Sequence, residues 1–440
     1  MSRKRPPLMR RMARWVDDRL GAASLARTTL DKVFPDHWSF MIGELALYCF
    51  IVLVATGVYL AFFFVPSTRE VVYNGSYVPM RGVPMSAAYK SALDLSFEVR
   101  AGLVMRQIHH WAALLFIASI VVHLARVFFT GAFRRPREIN WIVGVTMLIL
   151  GIVNGFAGYS LLDDQLSGTG LRITYGIVLS IPLIGTWIAS LLFGGEFPGP
   201  DLINRLFVIH ILIVPVIIAV LLGIHLAMVV RHKHTQFEGP GRREDNVVGE
   251  RMWPTYAAKA TGLFFLTTST LCLLGGLFQI NPIWVFGPFD PAQVSAASQP
   301  DWYMGWLDGA LRIMPGWETR LFGFEIPNPF FPGAGLAGLN RPRQRPVRTA
   351  IGVATLTFYA ICFLGGASDV ISSTLHLSVN RVLITFRVAL FFVPIVAAWV
   401  TYRLCRELSA RDGLPITSNM RFRDIPGRLR RGGKRAHVDA

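Results

Sequence analysis

The stretch RQIHHWAALLFIASIVVHLARVFFTGAFRRPRE, residues 106–138, decides the fold of this chain. It is an apolar run long enough to cross a membrane as a helix, it contains His109 and His123, and it ends in a cluster of arginines. An α-helix turns about 100° and rises about 1.5 Å per residue, so a 14-residue step returns within about 40° of its starting direction. The two imidazoles therefore lie on one face of the helix, about 21 Å apart along its axis.

A second apolar run, 204–230, carries His210 and His225. Their 15-residue step returns within about 60° of its start, so this helix also presents two imidazoles on one face. Two such helices side by side would form two bis-imidazole sites, one toward each membrane surface, which suits two haem groups stacked across the bilayer. Histidines in a span can instead be hydrogen-bonded core or pore-lining groups, but four in matched phase favour ligands. His110 fits poorly, because its 13-residue step to His123 is about 140° out of phase.

The composition is typical of a polytopic membrane protein. The 440 residues are 52% hydrophobic and 16% charged, and the mean hydropathy is +0.45. Of the formal charge of +17, residues 1–32 and 403–440 contribute +12. Basic segments that flank apolar spans favour a cytoplasmic position for both termini over nucleic-acid binding. The basic start is followed by a charged segment, so no cleavable signal peptide is expected.

The cysteines argue against several kinds of site. There are four, Cys49, Cys272, Cys362 and Cys405, all in or at the end of apolar segments and none in a C-x-x-C pattern. This predicts no disulfide, no zinc site and no covalently attached c-type haem. Any haem would be held by axial ligation and packing.

Seven apolar segments are predicted to span the membrane, and we call them A to E, G and H. In chain order they are 39–65, 103–129, 139–161, 204–230, 256–278, 349–366 and 382–403. The loops after B and D are rich in arginine and lysine, which places both in the cytoplasm and makes B and D parallel. His109 then faces His210 toward the outer side, and His123 faces His225 toward the cytoplasm.

A further apolar stretch, 171–193, is broken by Pro182 and Gly185. Because only C can cross between the parallel spans B and D, we expect this stretch to form a helical hairpin on the outer face. The predicted fold is all-α: a polytopic membrane protein with a di-haem four-helix bundle, A–D, followed by helices E, G and H. The predicted regions are a basic cytoplasmic segment 1–38, the bundle 39–255, a C-terminal region 256–405 and a basic cytoplasmic tail 406–440.

Glycines and arginines support the histidine sites. Two pairs of glycines share the 14-residue spacing, Gly43 and Gly57 on A and Gly144 and Gly158 on C. A flat porphyrin between helices needs close backbone approach, which glycine permits, although such pairs also serve helix–helix packing. Arg106 and Arg126 lie three residues from His109 and His123 and are candidates to neutralise anionic haem propionates. Arg126 could instead be a residue that extends to the cytoplasmic surface.

The chain resembles cytochrome b of the quinol–cytochrome c reductase complex, in its actinobacterial type. The resemblance rests on residues 106–138 and on four further stretches: GYSLLDDQLSGTG, HKHTQFEGPGRREDNVVG, LFQINPIW and SQPDWY. It covers 34–326 and 341–405. It implies that His109 and His210 ligate the iron of a low-potential haem b, and His123 and His225 that of a high-potential haem b.

The resemblance also implies two quinone sites. Pro300-Asp301-Trp302-Tyr303 takes the place of the family's Pro-Glu-Trp-Tyr motif at the outer quinol site. Asp301 is the candidate base for a proton of the quinol, and Tyr303 could hydrogen-bond a quinol oxygen. The implied substrate is menaquinol, and the inner quinone site is expected near A, D and the start of E. Lys259 there could serve proton uptake or simply extend to the surface.

The implied partners are a Rieske iron–sulfur protein, a c-type cytochrome subunit and a terminal oxidase, in a dimeric complex in the lipid of a bacterial plasma membrane. Three alternatives stay open at this point. The chain could be a divergent paralogue that keeps both haems without outer-site quinol oxidation. It could be a di-haem anchor of a quinone-linked dehydrogenase, which the Pro-Asp-Trp-Tyr motif disfavours. A transporter or structural membrane protein would bind no haem.

The chain departs from the family where a further span, F, is expected. The segment 326–340 holds three prolines and three glycines in its interior, and 15 helical residues reach only about 22 Å. Without F, the basic termini would lie on opposite sides of the membrane. We hypothesise that most of F has been lost, with a distorted outer site, a shielded non-helical crossing or inverted G and H as the consequence. A smaller departure is Leu162, where relatives usually have proline.

Overall fold

A computed structural model describes residues 8–21, 23–24, 27, 30–181, 183–237, 240–243, 246–293, 299–313, 319–321, 324–326 and 346–411. The helices of this part are α1 Leu8–Leu20, α2 Ile42–Ala61, α3 Ala87–Phe97, α4 Gly102–Thr130, α5 Glu138–Ser160, α6 Gln165–Leu179, α7 Gly185–Phe193, α8 Leu202–His232, α9 Met252–Leu277, α10 Ile283–Phe286, α11 Trp302–Ile313, α12 Pro346–Gly366, α13 Ser368–Leu375 and α14 Val379–Arg411. The chain is mostly helical, as predicted.

Seven helices among the described residues are long and apolar enough to cross a membrane: α2, α4, α5, α8, α9, α12 and α14. They correspond in order to the predicted spans A, B, C, D, E, G and H. Much of their apolar surface is exposed on the outside of the bundle, for example at Val58 and Val220. Exposed apolar surface of this extent is expected where helices face lipid.

The predicted hairpin is confirmed as the helix pair α6 and α7. It begins earlier than the apolar stretch, because Asp164 starts α6 as its N-cap and accepts hydrogen bonds from the backbone N–H groups of Leu166 and Ser167. Between the two helices, Leu183 has a positive φ of 67°. Gly185 begins α7 in close contact with the backbone of Val178 and Leu179 at the end of α6.

Short strands add small antiparallel pairs that the all-α prediction lacks. The strands of the described part are β1 Val33–Pro35, β2 Glu70–Val72, β3 Pro84–Ser86, β4 Gly249–Arg251, β5 Thr319–Leu321 and β6 Phe324–Ile326. They pair as β1 with β4, β2 with β3 and β5 with β6. The β1–β4 pair ties the segment before α2 to the segment before α9, so two distant parts of the chain meet at one end of the bundle.

The core lies where α2, α4 and α9 pack together. Ala112 and Ile117 of α4, Cys49 of α2 and Leu271 of α9 are almost fully buried there. Tyr303 from α11 joins the same cluster, which places α11 directly against the four-helix bundle. Cys49, Cys362 and Cys405 are buried thiols, and Cys272 is exposed.

The hypothesis that span F is largely lost concerns residues 326–340, of which 327–340 lie outside the described residues. The described chain before them forms the β5–β6 pair. Leu162 packs beside the buried cluster that contains Tyr73 and Tyr89.

Candidate functional site

The four predicted histidines meet in two pairs between α4 and α8. The ring centroids of His109 and His210 are 6.1 Å apart, with an angle of 72° between the planes. Those of His123 and His225 are 6.3 Å apart, at 68°. Two imidazoles that bind one metal ion from opposite sides through bonds of about 2 Å have centroids about 6 Å apart. Both pairs therefore have the separation that a shared metal ion requires.

A wide turn in α8 explains why its histidines are 15 residues apart and those of α4 only 14. Residues Ile209–Ile213, which include His210, form a π-helical turn inside α8. Such a turn inserts one extra residue into an α-helix. His225 therefore lies in nearly the same phase relative to His210 as His123 does relative to His109.

Hydrogen bonds orient the rings of one pair, His109 and His210. His210 Nδ1 lies 2.9 Å from the carbonyl oxygen of Asn154, so Nδ1 carries the hydrogen and donates it. Thr56 Oγ1 donates to the carbonyl of Val52 and lies 2.9 Å from His109 Nδ1, from which it can accept. A histidine that donates through Nδ1 keeps the lone pair of Nε2 free for a metal ion.

Three of the four predicted glycines touch a histidine ring. A Cβ on Gly57 would lie 3.2 Å from His109 Cε1, and a Cβ on Gly43 would lie 3.0 Å from His123 Cε1. Gly158 is in still closer contact with the ring of His210. Gly144 differs, because a Cβ there would meet only Leu124, at an ordinary contact distance of 3.4 Å. The glycines of α2 and α5 thus leave space for the rings at three of the four positions.

Arg106 is buried and Arg126 is half-buried, and both have unused hydrogen-bond donors. Arg106 is 7% exposed and donates through Nη1 to the carbonyl of Asn281. Its Nε and Nη2, and Nε of Arg126, have no hydrogen-bond partner within the described part of the chain. The Arg126 guanidinium lies 4.0 Å above the ring of Phe40. A buried guanidinium with free N–H groups suits an anionic partner, so these residues fit the propionates of a haem.

A small, partly open pocket with a volume of about 50 Å³ lies between α5, α6 and α11. Pro300 of the Pro-Asp-Trp-Tyr motif lines it, and Met304 follows one turn later on α11. Tyr159 of α5 also lines this pocket, and its hydroxyl is buried with no hydrogen-bond partner among the described residues. Sequence reasoning missed Tyr159, although it lies beside the predicted Gly158. An unpaired hydroxyl beside a pocket is available to a polar group of a ligand.

Asp301 lies just before α11, and two side chains hold its carboxylate. His110 Nε2 is 2.8 Å from Oδ1, and the Tyr303 hydroxyl donates to Oδ2 at 3.1 Å. Tyr303 is 3% exposed and its hydroxyl packs against Gly155 of α5, whereas Trp302 is 38% exposed. By its phase on α4, His110 fits poorly as a second ligand beside His123. The same phase turns His110 away from His123 and toward α11. This difference in phase is the sequence signal that could have identified His110 as a contact of Asp301.

Lys259 lies on α9 near the β1–β4 pair. Its Nζ is 3.0 Å from Asp36 Oδ1 and 2.9 Å from Glu250 Oε2. The lysine therefore takes part in a charged cluster at this end of the bundle.

Proteins of known family resemble this chain over most of its length. A family model described as cytochrome b (N-terminal)/b6/petB matches residues 114–288. The cytochrome b subunit of the cytochrome bc1 complex of Streptomyces coelicolor is 50% identical over 436 residues, which cover 93% of this chain and 80% of that protein. The corresponding subunit of Mycobacterium leprae is 49% identical over 430 residues, which cover 92% of this chain and 78% of that protein. That of Corynebacterium diphtheriae is 48% identical over 422 residues, which cover 90% of this chain and 78% of that protein.

The fold agrees with that of a solved structure. A chain of a hyperthermophilic respiratory complex III matches with a TM-score of 0.61 at 20% sequence identity, over 89% of this chain and 99% of that one. The seven apolar helices and the bacterial relatives make the chain a multi-pass membrane protein. It belongs to the family of cytochrome b subunits of the cytochrome bc1 complex, the electron-transporting quinol–cytochrome c oxidoreductase of respiratory chains.

Proposed function

We propose that this chain oxidises quinol, in particular menaquinol, in the pocket beside Pro300 and returns electrons across the membrane to an inner quinone site. In this proposal two b-type haems are held by His109 with His210 and by His123 with His225. The observation that carries the proposal is the separation of 6.1 and 6.3 Å between the paired rings. When bound, the haems supply one-electron carriers at two depths of the membrane, which makes the transfer electrogenic.

The chain's own residues would hold and orient the haems. The four histidines would supply the nitrogen ligands of the haem irons, and Thr56 and the Asn154 carbonyl hold two of the rings through Nδ1. Gly43, Gly57 and Gly158 leave space beside the rings. Arg106 and Arg126 have the free donors to pair with propionates. Gly144 has no contact with a histidine ring, and we assign it to helix packing.

At the outer pocket, oxidation of a quinol releases two electrons and two protons. We assign Asp301 as the acceptor of one proton, since it directly follows Pro300, which lines the pocket, and a carboxylate is a suitable general base. His110 and Tyr303 hold the carboxylate in place. Pro300 and Tyr159 line the pocket, and the free hydroxyl of Tyr159 could bind a quinol oxygen.

The other partners and the topology belong to the same proposal. One electron from each quinol would leave to a Rieske iron–sulfur protein and on to a c-type cytochrome subunit, with a terminal oxidase as the final acceptor. The complex would be a dimer in a bacterial plasma membrane. The basic segments at 1–32 and 403–440 support a cytoplasmic position for both termini.

Redox-titrated visible difference spectra of membranes that contain the complex test this proposal. We expect two b-type components that quinol reduces in a manner sensitive to an outer-site inhibitor. His210→Ala should remove one component and His225→Ala the other, because each variant breaks one pair. Two components that quinol does not reduce through the outer pocket would favour the divergent paralogue. The absence of b-type components would refute the assignment of all four histidines.

A further inference from the structure

A second group of polar side chains lies at the other end of the bundle from Asp301. Glu44 is in the first turn of α2, directly after Gly43, whose Cα faces the ring of His123. Tyr48, one turn later, donates a hydrogen bond to Glu44 Oε2 at 3.1 Å. Tyr256 of α9 donates to the other oxygen, Oε1, across 212 residues of sequence. Two phenol groups therefore hold one carboxyl group beside the second histidine pair.

The surroundings keep this carboxyl group fixed in place. The ring of Phe34, from β1, stacks on Tyr256 with centroids 4.3 Å apart and 20° between the planes. The ring of Tyr48 packs edge-on against Phe264, with centroids 5.4 Å apart. Glu44 itself is half-buried. An ionisable side chain inside a membrane span is costly and marks a functional group more often than a structural one.

A charged cluster connects this group to water. Lys259 lies three residues after Tyr256 on α9 and pairs with Asp36 and Glu250. The β1–β4 pair brings Asp36, which follows β1, close to Glu250 of β4. Asp36 and Lys259 are 57% and 44% exposed in their side chains, so this cluster is in contact with solvent. Because Lys259 lies about one helical turn from Tyr256, this solvent-exposed cluster lies next to the end of the helix that holds Glu44 through Tyr256.

We propose that Glu44 is the proton donor of the inner quinone site, and that the cluster of Asp36, Lys259 and Glu250 is the entry for protons from the cytoplasm. This inference rests on the proposed function, which supplies a quinone as substrate. Reduction of one quinone to quinol takes two electrons and two protons. For each electron that arrives from the outer pocket, the Glu44 carboxyl O–H transfers its proton to a quinone oxygen, and the carboxylate is then reprotonated from water. Tyr48 and Tyr256 stabilise the carboxylate through their O–H groups.

The test uses the whole bc1 complex in lipid nanodiscs, with Glu44→Gln and Glu44→Asp. Glutamine keeps the size of the side chain and can still accept a hydrogen bond through its one amide oxygen, but it cannot transfer a proton. We expect the quinone-dependent reoxidation of the b component on the His123 side to slow on the order of 100-fold in E44Q. In E44D, which keeps an acid, the rate should stay within about tenfold of the unsubstituted complex. Quinol-driven reduction through the outer pocket should be unchanged in both.

A second readout does not depend on turnover. Redox-induced infrared difference spectra should contain a carboxylic C=O band that is lost in E44Q and shifted in E44D. Unchanged reoxidation together with an unchanged band in E44Q would overturn the inference. If E44Q fails to assemble, Tyr256→Phe tests the inference instead, because it removes one hydroxyl and keeps the stacked ring. Slower reoxidation of the b component in this variant supports the inference, and an unchanged rate overturns it.

These results separate the two proposals. If the unsubstituted complex shows no b component that quinol reduces, the proposed function fails and Glu44 has no assigned substrate. If the unsubstituted complex is active and E44Q matches it in both readouts, only the inference about Glu44 fails.

Discussion

His110 Nε2 lies 2.8 Å from Asp301 Oδ1, a contact that joins α4 to the start of α11 across 191 residues of sequence. Both side chains are 15% exposed, so the contact is largely shielded from solvent. His109, the adjacent residue, faces His210. Helix α4 therefore presents neighbouring histidines to two different sites, one to a candidate haem and one to the candidate quinol pocket. This arrangement leads to the first two predictions.

Replacement of Asp301 by asparagine should slow quinol oxidation and leave both b-type spectra unchanged. Asparagine can still hydrogen-bond His110 and Tyr303, but it cannot accept a proton from the quinol. We expect the rate of quinol-driven reduction to fall on the order of 100-fold. Stopped-flow reduction of the b components measures it. Asp301→Glu, which restores a carboxylate, is the matched control, and equal rates in D301N and the unsubstituted complex would exclude Asp301 as the base.

Replacement of His110 by alanine should weaken quinol oxidation through Asp301, which would lose the partner of its Oδ1. We expect a decrease of about tenfold in the rate, smaller than that of D301N, because a positioning residue acts through the base. His110→Gln, which can still donate to the carboxylate, should recover most of the rate. Trp111→Phe removes a different hydrogen bond, to the Phe278 carbonyl, and serves as control. Loss of a b component in H110A would instead identify His110 as a haem ligand.

The glycines of α5 provide a matched pair of variants. An added methyl group in Gly158→Ala would collide with the ring of His210, whereas in Gly144→Ala it would make an ordinary contact with Leu124 at 3.4 Å. We expect G158A to lose or shift the b component of the His109–His210 pair and G144A to retain both components. Difference spectra of the two variants in membranes, normalised to the amount of complex, decide the question. Equal spectra would mean that the ring of His210 can move away without loss of the haem.

The stability of the chain should depend on pH through Asp164, the N-cap of α6. Burial raises the pKa of this carboxyl group to about 6, although hydrogen bonds from Ser167 and Leu166 oppose the shift. An unfolded aspartate titrates near pH 4, so between about pH 4 and 6 the folded chain holds a proton that the unfolded chain has released. Stability contributed by this group is therefore present below pH 4 and is lost as the pH rises to 6.

Asp164→Asn removes this titration and keeps an oxygen that can cap α6. Relative to the variant, the unsubstituted chain should lose about 2–3 kcal/mol of stability between about pH 4 and 6, with no further change at higher pH. The difference in apparent melting temperature of the two complexes in detergent, measured across this range, checks the prediction. A difference that does not vary with pH would show that burial does not raise the pKa of Asp164 in the folded chain.

The sequence by itself determined the membrane spans, the hairpin at 171–193 and the pairing of four histidines. These features depend on the order of neighbouring residues: the length of an apolar run decides whether it spans the membrane, and about 100° per residue decides which side chains share a helix face. The positions of arginines in the loops then gave the parallel direction of α4 and α8, so that His109 could be matched with His210. The rotation of about 100° per residue does not explain why His210 and His225 are 15 residues apart when His109 and His123 are 14 apart.

Only the tertiary structure decided which distant groups meet. The π-helical turn at Ile209–Ile213, the contact of Gly144 with Leu124 and the hydrogen bonds of Asp301 with His110 and Glu44 with Tyr256 are absent from any local pattern. The last two join residues 191 and 212 positions apart. Such contacts depend on how all the helices pack and where the loops and short strands place them, and a periodic pattern within one helix does not contain that information.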